Sequence, residues 1–227
     1  MINARSILAG CMMVLAMSQL VSCTGLQTAA NKNLYALDAG SPAAAHNSAP
    51  AQEASATIGS IPRDQILQIR RVSIAPPFDG SSFIYRTPAG TYVKDYYNEW
   101  VAPPQDLFSG QLVDWLSASR IFASVVGGQS AAPHRFALET NITALYGDFH
   151  DPHHPQVVLA ARVFMLDDSG ATRTVAFQNH YDISLAIPDA SAQQFVVGAG
   201  KAYRQLLESV SRDLLTFRET AVAANGE

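Results

Sequence analysis

Cysteine is nearly missing from this chain: of 227 residues only Cys11 and Cys23 are cysteine, so no disulfide framework can hold the fold. Apolar runs of membrane-spanning length are missing too. A transmembrane helix needs about 20 apolar residues, and the apolar stretch Ile7 to Leu20 is shorter than that and interrupted by small residues. Basic charge is scarce, with 15 Lys and Arg against 19 Asp and Glu. There is no basic stripe of the kind nucleic-acid binders carry, nor a polybasic segment for anionic lipids. The chain also lacks a G-x-S-x-G elbow, and Gly127-Gly128 has neither the Lys nor the following helix of a phosphate loop.

The N-terminus supplies what those absences leave room for. Arg5 precedes the apolar stretch, and Leu20-Val21-Ser22-Cys23 closes it in the form of a lipobox. A charged start, a short apolar middle and small residues at the cut make an export signal. Residues 1–22 are therefore expected to be a lipoprotein signal peptide, with Cys23 as the lipidation site. Leu8-Ala9-Gly10-Cys11 has the same form, but it leaves almost no apolar segment upstream to engage the export machinery. Cleavage before Cys23 leaves 205 residues with 14 basic and 19 acidic side chains, a net charge of −5. Attachment then comes from the diacylglycerol and N-acyl chain on Cys23, each buried methylene contributing ~0.8 kcal/mol. No other cofactor is expected. Thr24, where an inner-membrane lipoprotein of enterobacteria has Asp, points to the outer membrane and its periplasmic face.

Residues 23–38 form the lipidated N-terminus and a first short strand, Asn33 to Asp38. Residues 39–60 are rich in Ala, Ser and Pro and are expected to be a flexible insert. The folded body spans 61–220, with a frayed tail at 221–227. Leu67 to Ala75 has the pattern of a buried strand ended by Pro76-Pro77. Phe83 to Arg86 and Thr91 to Tyr97 form a hairpin around Pro88-Ala89-Gly90. Pro103-Pro104 opens a helix with Phe108, Leu112, Trp115 and Leu116 on one face. Ile121 to Val126 makes a short strand. Three longer strands follow, through Phe136 to Thr143, Val157 to Leu166 and Thr174 to Ile183, the second central and the last two joined by a turn at Asp167 to Gly170. A capping box at Ser191 and Gln194 starts a long helix striped by Phe195, Ala199, Tyr203, Leu206, Val210, Leu214 and Phe217. The sum is an α+β fold, a two-layer domain with a mainly antiparallel sheet packed against two main helices.

Candidate chemistry is thin. His150, His153 and His154 lie within five residues, beside Asp151, and are weak candidates for a metal; a solvated His-rich loop is the plainer reading, stiffened by Pro152 and Pro155. Ser81 and Ser82 beside Asp79 lack an elbow, and His134 and His180 lack a nucleophile at evident spacing. The expectation is no catalytic residue, no metal and no enzyme.

Four segments in order carry a resemblance: Leu34-Tyr35-Ala36-Leu37, Val72-Ser73-Ile74-Ala75-Pro76, Phe83-Ile84-Tyr85-Arg86, and Asn98-Glu99-Trp100 ahead of Pro103. Their sequence and order resemble the ABC-type transport auxiliary lipoproteins, the paraquat-inducible-lipoprotein-like family that accompanies mammalian-cell-entry (MCE) lipid transport systems. Phe78-Asp79-Gly80 departs from that family's usual Leu-Asp-Arg, and the 39–60 insert is long for it. The resemblance implies a non-catalytic, outer-membrane-anchored component of a phospholipid transporter. Its partners would be an MCE-domain protein and the associated ABC permease, with a homo-oligomer also open. Phe83, Tyr85, Arg86, Tyr97 and Trp100, with Tyr96, are the candidate partner or lipid contacts; burial in the core is the competing role for the aromatics, and an ion pair for Arg86. Two rival readings remain: a structural lipoprotein of envelope or secretion-apparatus assembly, and a lipid-anchored hydrolase or metal binder centred on the three histidines.

Overall fold

The structure is a computed structural model, and it describes residues 31–42 and 65–224, with side chains to Arg218. The signal segment 1–22, Cys23 and most of the 39–60 insert lie outside the described residues. The chain from Lys32 onward forms one compact unit.

Nine strands form one sheet covered on one face by two helices. The strands are β1 (Asn33–Tyr35), β2 (Ile66–Ile69), β3 (Ser73–Ile74), β4 (Ser82–Arg86), β5 (Tyr92–Trp100), β6 (Ser124–Gly127), β7 (Phe136–Asp148), β8 (Gln156–Asp167) and β9 (Thr174–Ala186); the helices are α1 (Pro104–Ser119) and α2 (Ala192–Ala224). The expected hairpin is β4–β5, and the expected meander is β7–β8–β9, whose two ladders supply most of the antiparallel pairing. β8 lies between β7 and β9, as expected. The hub is β7, which also takes β2, β3 and β4 as parallel neighbours. β1 beside β5 and β6 beside β2 are parallel too. None of these parallel contacts leaves a mark in the sequence, because they join segments far apart in the chain.

The expected strand Leu67 to Ala75 is two strands with a step between them. Leu138 faces Ile69 and Asn141 faces Ser73, so the β2–β3 side advances four residues while β7 advances three. The additional residue is accommodated at Arg70 to Val72, where the amide of Val72 leaves the ladder and donates to Ser109 Oγ on α1 at 2.8 Å. Ser109 Oγ in turn donates back to the Gln105 carbonyl at 2.6 Å, the usual way a hydroxyl is tolerated inside a helix.

Alternation along β8 assigns its faces. Val157, Leu159, Ala161, Val163 and Met165 are buried beneath α2, whereas Arg162 points to solvent from the uncovered face. α1 begins as expected, with Pro104 in its first turn, and ends at Arg120 in the left-handed conformation. Phe108, Leu112, Trp115 and Leu116 are all buried, as their spacing requires. In α2, six of the seven stripe residues, Phe195 through Leu214, are buried. Of these, Phe195, Leu206, Val210 and Leu214 each contribute about 1.5–3 kcal/mol relative to exposure, which helps a sheet with so many short strands hold together. Half of the expected capping box forms: Ser191 Oγ accepts the Gln194 amide at 3.3 Å, but the Ser191 amide goes to Asp189 Oδ1 at 2.9 Å instead of to the Gln194 side chain. The helix continues to Ala224, past Thr220 where the tail was expected to begin.

β1 enters the sheet by pairing with the end of β5, and the chain after it is held as firmly. Ala39 is buried; its amide donates to Gln111 Oε1 at 2.8 Å and its carbonyl accepts from Arg204 Nε at 2.8 Å. Gln111 Nε2 also donates to the Leu37 carbonyl. Ordered structure thus reaches into the first residues of the expected insert, because both helices supply polar side chains to Leu37 and Ala39.

Candidate interaction surface

Three of the four segments that carry the family resemblance lie side by side in β1, β5 and β4, while Val72 to Pro76 pairs with β7, and most of their aromatic side chains face inward. Phe83 lies 5.3 Å from Tyr35, 4.8 Å from Trp100 and 5.0 Å from Phe195, ring centre to ring centre. Trp100 continues to Phe108, and Phe108 to Tyr203 at 4.5 Å. The Tyr203 hydroxyl donates to the Phe108 carbonyl at 2.7 Å, tying α2 to α1. This chain of tilted and edge-on rings joins β1, β4, β5 and both helices, and pairs of this kind contribute about 0.5–1.5 kcal/mol beyond their burial. Two candidate contact residues, Phe83 and Trp100, are therefore core residues, 1% and 3% exposed. Sequence position alone had placed them near strand ends; it could not show that β1 and α2 close over them.

Tyr85 is half buried. It stacks on Phe149 at 4.8 Å and meets Phe195 edge-on at 5.6 Å. Its hydroxyl donates to Asp95 Oδ2 at 3.0 Å. Burial first, and the neighbouring Asp95 carboxylate second, push its pKa far above the tyrosine range. Arg86 makes the expected ion pair, Nη1 to Asp148 Oδ2 at 3.3 Å, but with a third of its side chain in water. In that setting the pair contributes about 0–1 kcal/mol.

Tyr97 and its neighbour Tyr96 behave differently. Ser82 faces Glu99 and Ile84 faces Lys94, so β5 carries three more residues than β4 across that interval. The surplus bulges at Asp95 to Asn98. Asp95 organises it: Oδ1 accepts the amides of Tyr97 (2.8 Å) and Asn98 (3.1 Å), and Oδ2 accepts Asn98 Nδ2 (2.8 Å) besides the Tyr85 hydroxyl. Asn98 Oδ1 then receives Asn33 Nδ2 at 3.0 Å and the Tyr35 hydroxyl at 3.2 Å, which couples the bulge to β1. Tyr96 and Tyr97 are left 66% and 56% exposed, edge to face at 5.2 Å. Lys32, just before β1, sits 5.7 Å from the Tyr96 ring and pairs with Glu99 at 2.8 Å. Leu34 and Val101 are exposed at the same edge of the sheet. The run Thr91 to Tyr97 suggests only a hairpin strand; Asp95, whose side chain caps the amide two residues on as an Asx turn, is the signal available for the bulge.

The histidine loop is a turn organised by Asp151. Asp151 Oδ1 accepts the His153 amide at 2.9 Å and Oδ2 contacts His154 Nδ1 at 2.7 Å, closing a turn. The His154 hydrogen bond, then the His153 amide, hold the Asp151 carboxyl below its usual range. His150, His153 and His154 are exposed, and among the described residues no group of three or more His, Cys, Asp or Glu is placed to hold a metal. His134 is within 3.6 Å of Asp168 and His180 within 3.0 Å of Asp182; the Ser81 carbonyl serves as acceptor for the Trp100 amide. An open cleft of about 590 Å³ beside α1 is lined by Ile69, Arg71, Asp106, Val113 and the backbone of Gly127-Gly128. Ser109 and Asp114 also line it, and the Ser109 hydroxyl is engaged by the Val72 amide and the Gln105 carbonyl. Among the described residues no helix is long and apolar enough to cross a membrane.

A family model, that of the ABC-type transport auxiliary lipoprotein component, matches residues 47–213. Among solved structures, a Xanthomonas campestris protein is similar at 14% identity, with a TM-score of 0.61 over 69% of this chain and 87% of its own. An uncharacterized protein is similar at 17% identity, with a TM-score of 0.55 over 67% of this chain and 94% of its own. At these identities the likeness is one of fold. No curated protein matches the chain in sequence.

Proposed function

The chain belongs to the ABC-type transport auxiliary lipoprotein family, and on that premise we propose that it is the outer-membrane-anchored, non-catalytic auxiliary component of an MCE-type lipid transport system. Acyl chains on Cys23 hold it at the periplasmic face, where it docks the MCE-domain protein whose ABC permease drives phospholipids or other hydrophobic molecules across the envelope. The observation that carries this reading is the family match, which spans β2 to most of α2. The geometry agrees with it. Phe83, Trp100, Phe108, Phe195 and Tyr203, all within the matched residues, build a closed aromatic core, and the exposed groups form an aromatic edge suited to contact and not to catalysis.

Epistasis tests the assignment. Deleting the gene for this chain is expected to reproduce the envelope defect of a permease deletion, and deleting both is expected to add nothing. A double deletion clearly worse than either single one puts the protein outside that pathway, in envelope or secretion-apparatus assembly.

A further inference from the structure

The position of the Tyr96–Tyr97 bulge relative to the start of β1 says more about how the domain meets its membrane. Lys32 is nine residues from Cys23. At about 3.3–3.6 Å per residue, that stretch reaches at most ~30 Å when fully extended. Lys32 does not float at the end of a loose tether. Asn33, Leu34 and Tyr35 pair with Asn98, Glu99 and Trp100, and Leu37 and Ala39 are bonded to Gln111 and Arg204. The chain therefore leaves toward its anchor from a fixed point on the domain, and that point touches Tyr96.

The chemistry at that point suits a lipid headgroup region. Tyrosine has an apolar ring and a hydroxyl that wants water, so it concentrates where bilayer meets solvent. Here two adjacent tyrosines are pushed out by a three-residue surplus in β5 and left more than half exposed. The core does not use them: the inward aromatics Tyr35, Phe83 and Trp100 are separate side chains. Local charge does not oppose approach to a membrane, since Lys32 is matched by Glu99 and the Asp95 carboxylate accepts four hydrogen bonds. Leu34 and Val101 add apolar surface at the same edge.

From this we infer that the Tyr96–Tyr97 bulge is a second, non-covalent contact of this lipoprotein with the bilayer surface that carries its acyl chains, and that it sets the orientation of the domain. The inference rests on the anchor at Cys23 proposed above. A tether of this length sets only an upper limit on distance and leaves rotation free. A second contact next to its exit removes that freedom and turns the same side of the sheet toward the lipid at all times.

The test uses the full-length lipidated protein in vesicles of phosphatidylethanolamine and phosphatidylglycerol that include nitroxide-headgroup lipid. Once Cys23 is acylated the mature chain has no other thiol, so an environment-sensitive dye can be placed by Tyr97→Cys, with Val175→Cys on β9 as a second exposed site. The dye at position 97 is expected to be quenched several-fold more than the dye at 175. A dye at Val101→Cys, which keeps both tyrosines, is expected to lose its quenching when Tyr96→Ser and Tyr97→Ser are added. Equal, weak quenching at 97 and 175 in vesicles that still float with the protein overturns the orienting contact and leaves the anchor standing. Failure of the protein to float overturns the anchor and the inference with it. Shielding of position 97 that develops only on addition of a partner protein shows the bulge to be a protein contact and overturns the lipid one.

Discussion

Gly200, in the third turn of the long C-terminal helix, lies against the carbonyl of Asp38: a β-carbon at that position would come within 2.2 Å of the Asp38 oxygen. The obstacle is backbone, held in place by the bonds of Ala39 to Gln111 and Arg204, so it cannot swing aside as a side chain would. The residues just after β1 are thereby packed against the last element of the fold, beside the aromatic core.

That contact can be measured against helix propensity. Alanine is favoured over glycine inside a helix by about 0.8–1.0 kcal/mol. Gly110, on α1, has nothing within 4 Å of its would-be β-carbon. Gly110→Ala is therefore expected to add about 0.5–1 kcal/mol of stability in urea unfolding. Gly200→Ala should lower stability despite the same local gain. Equal stabilisation by both substitutions would mean that the 37–40 segment is not clamped.

Asp95 supports a second prediction. Asp95→Ala leaves the half-buried Tyr85 hydroxyl without its partner and frees two amides of the bulge. Losing such partners costs about 1–3 kcal/mol. With Tyr85→Phe in the background the loss should be smaller, because the orphaned hydroxyl is gone. A double-mutant cycle on urea midpoints reads the coupling, and strict additivity would deny the contact.

Thr140, on β7, is buried and its hydroxyl has no hydrogen-bond partner among the described residues. Thr140→Val keeps the branched shape and removes the unsatisfied oxygen, so it is expected to be neutral or stabilising by up to about 1 kcal/mol. A clear fall in melting temperature would show that the hydroxyl is bonded.

Acid sensitivity follows from the β8–β9 turn. Burial works to raise the Asp167 carboxyl, but hydrogen bonds from Arg135 and Ser169 outweigh it, and the group is held below its usual range. For Asp168 the largest influence is the Arg173 hydrogen bond, opposed by burial and joined by the charges of Arg173, Arg70 and His134; the net shift is again downward. A depressed folded-state pKa means stability that is present above the unfolded value, about 3.9, and is lost as pH falls through the folded one. The urea midpoint should therefore start to fall as pH drops below about 4 and keep falling as these carboxylates take up protons. Asp168→Asn should be less stable at pH 7 and should show a shallower acid decline. An unchanged slope would show that Asp168 has no part in the acid response.

The parts of this fold that could be read from the sequence are those governed by local pattern. The stripe from Phe195 to Leu214 and the face Phe108, Leu112, Trp115 and Leu116 follow from the helical period, and the β4–β5 hairpin follows from Pro88-Ala89-Gly90. The parallel pairings of β7 do not, because no local preference distinguishes Ile69 beside Leu138 from Ile69 beside any other apolar strand. The same limit explains the candidate contacts. Phe83 and Trp100 are aromatics near strand ends in the sequence, yet β1 and α2 arrive from elsewhere in the chain to bury them. Tyr96 and Tyr97 stay outside because Asp95 draws their backbone into a bulge, a register shift that a period-two pattern hides.

Service to an MCE-type lipid transporter is best tested by a detergent pull-down of the full-length protein from envelopes, with Cys23→Ala beside it. An MCE-domain protein and its ABC permease are expected with the wild type, and loss of membrane attachment for the variant. Recovery of the wild type alone, or with a secretin or peptidoglycan, contradicts the transport role, and a Cys23→Ala chain that still fractionates as a lipoprotein moves the anchor to Cys11.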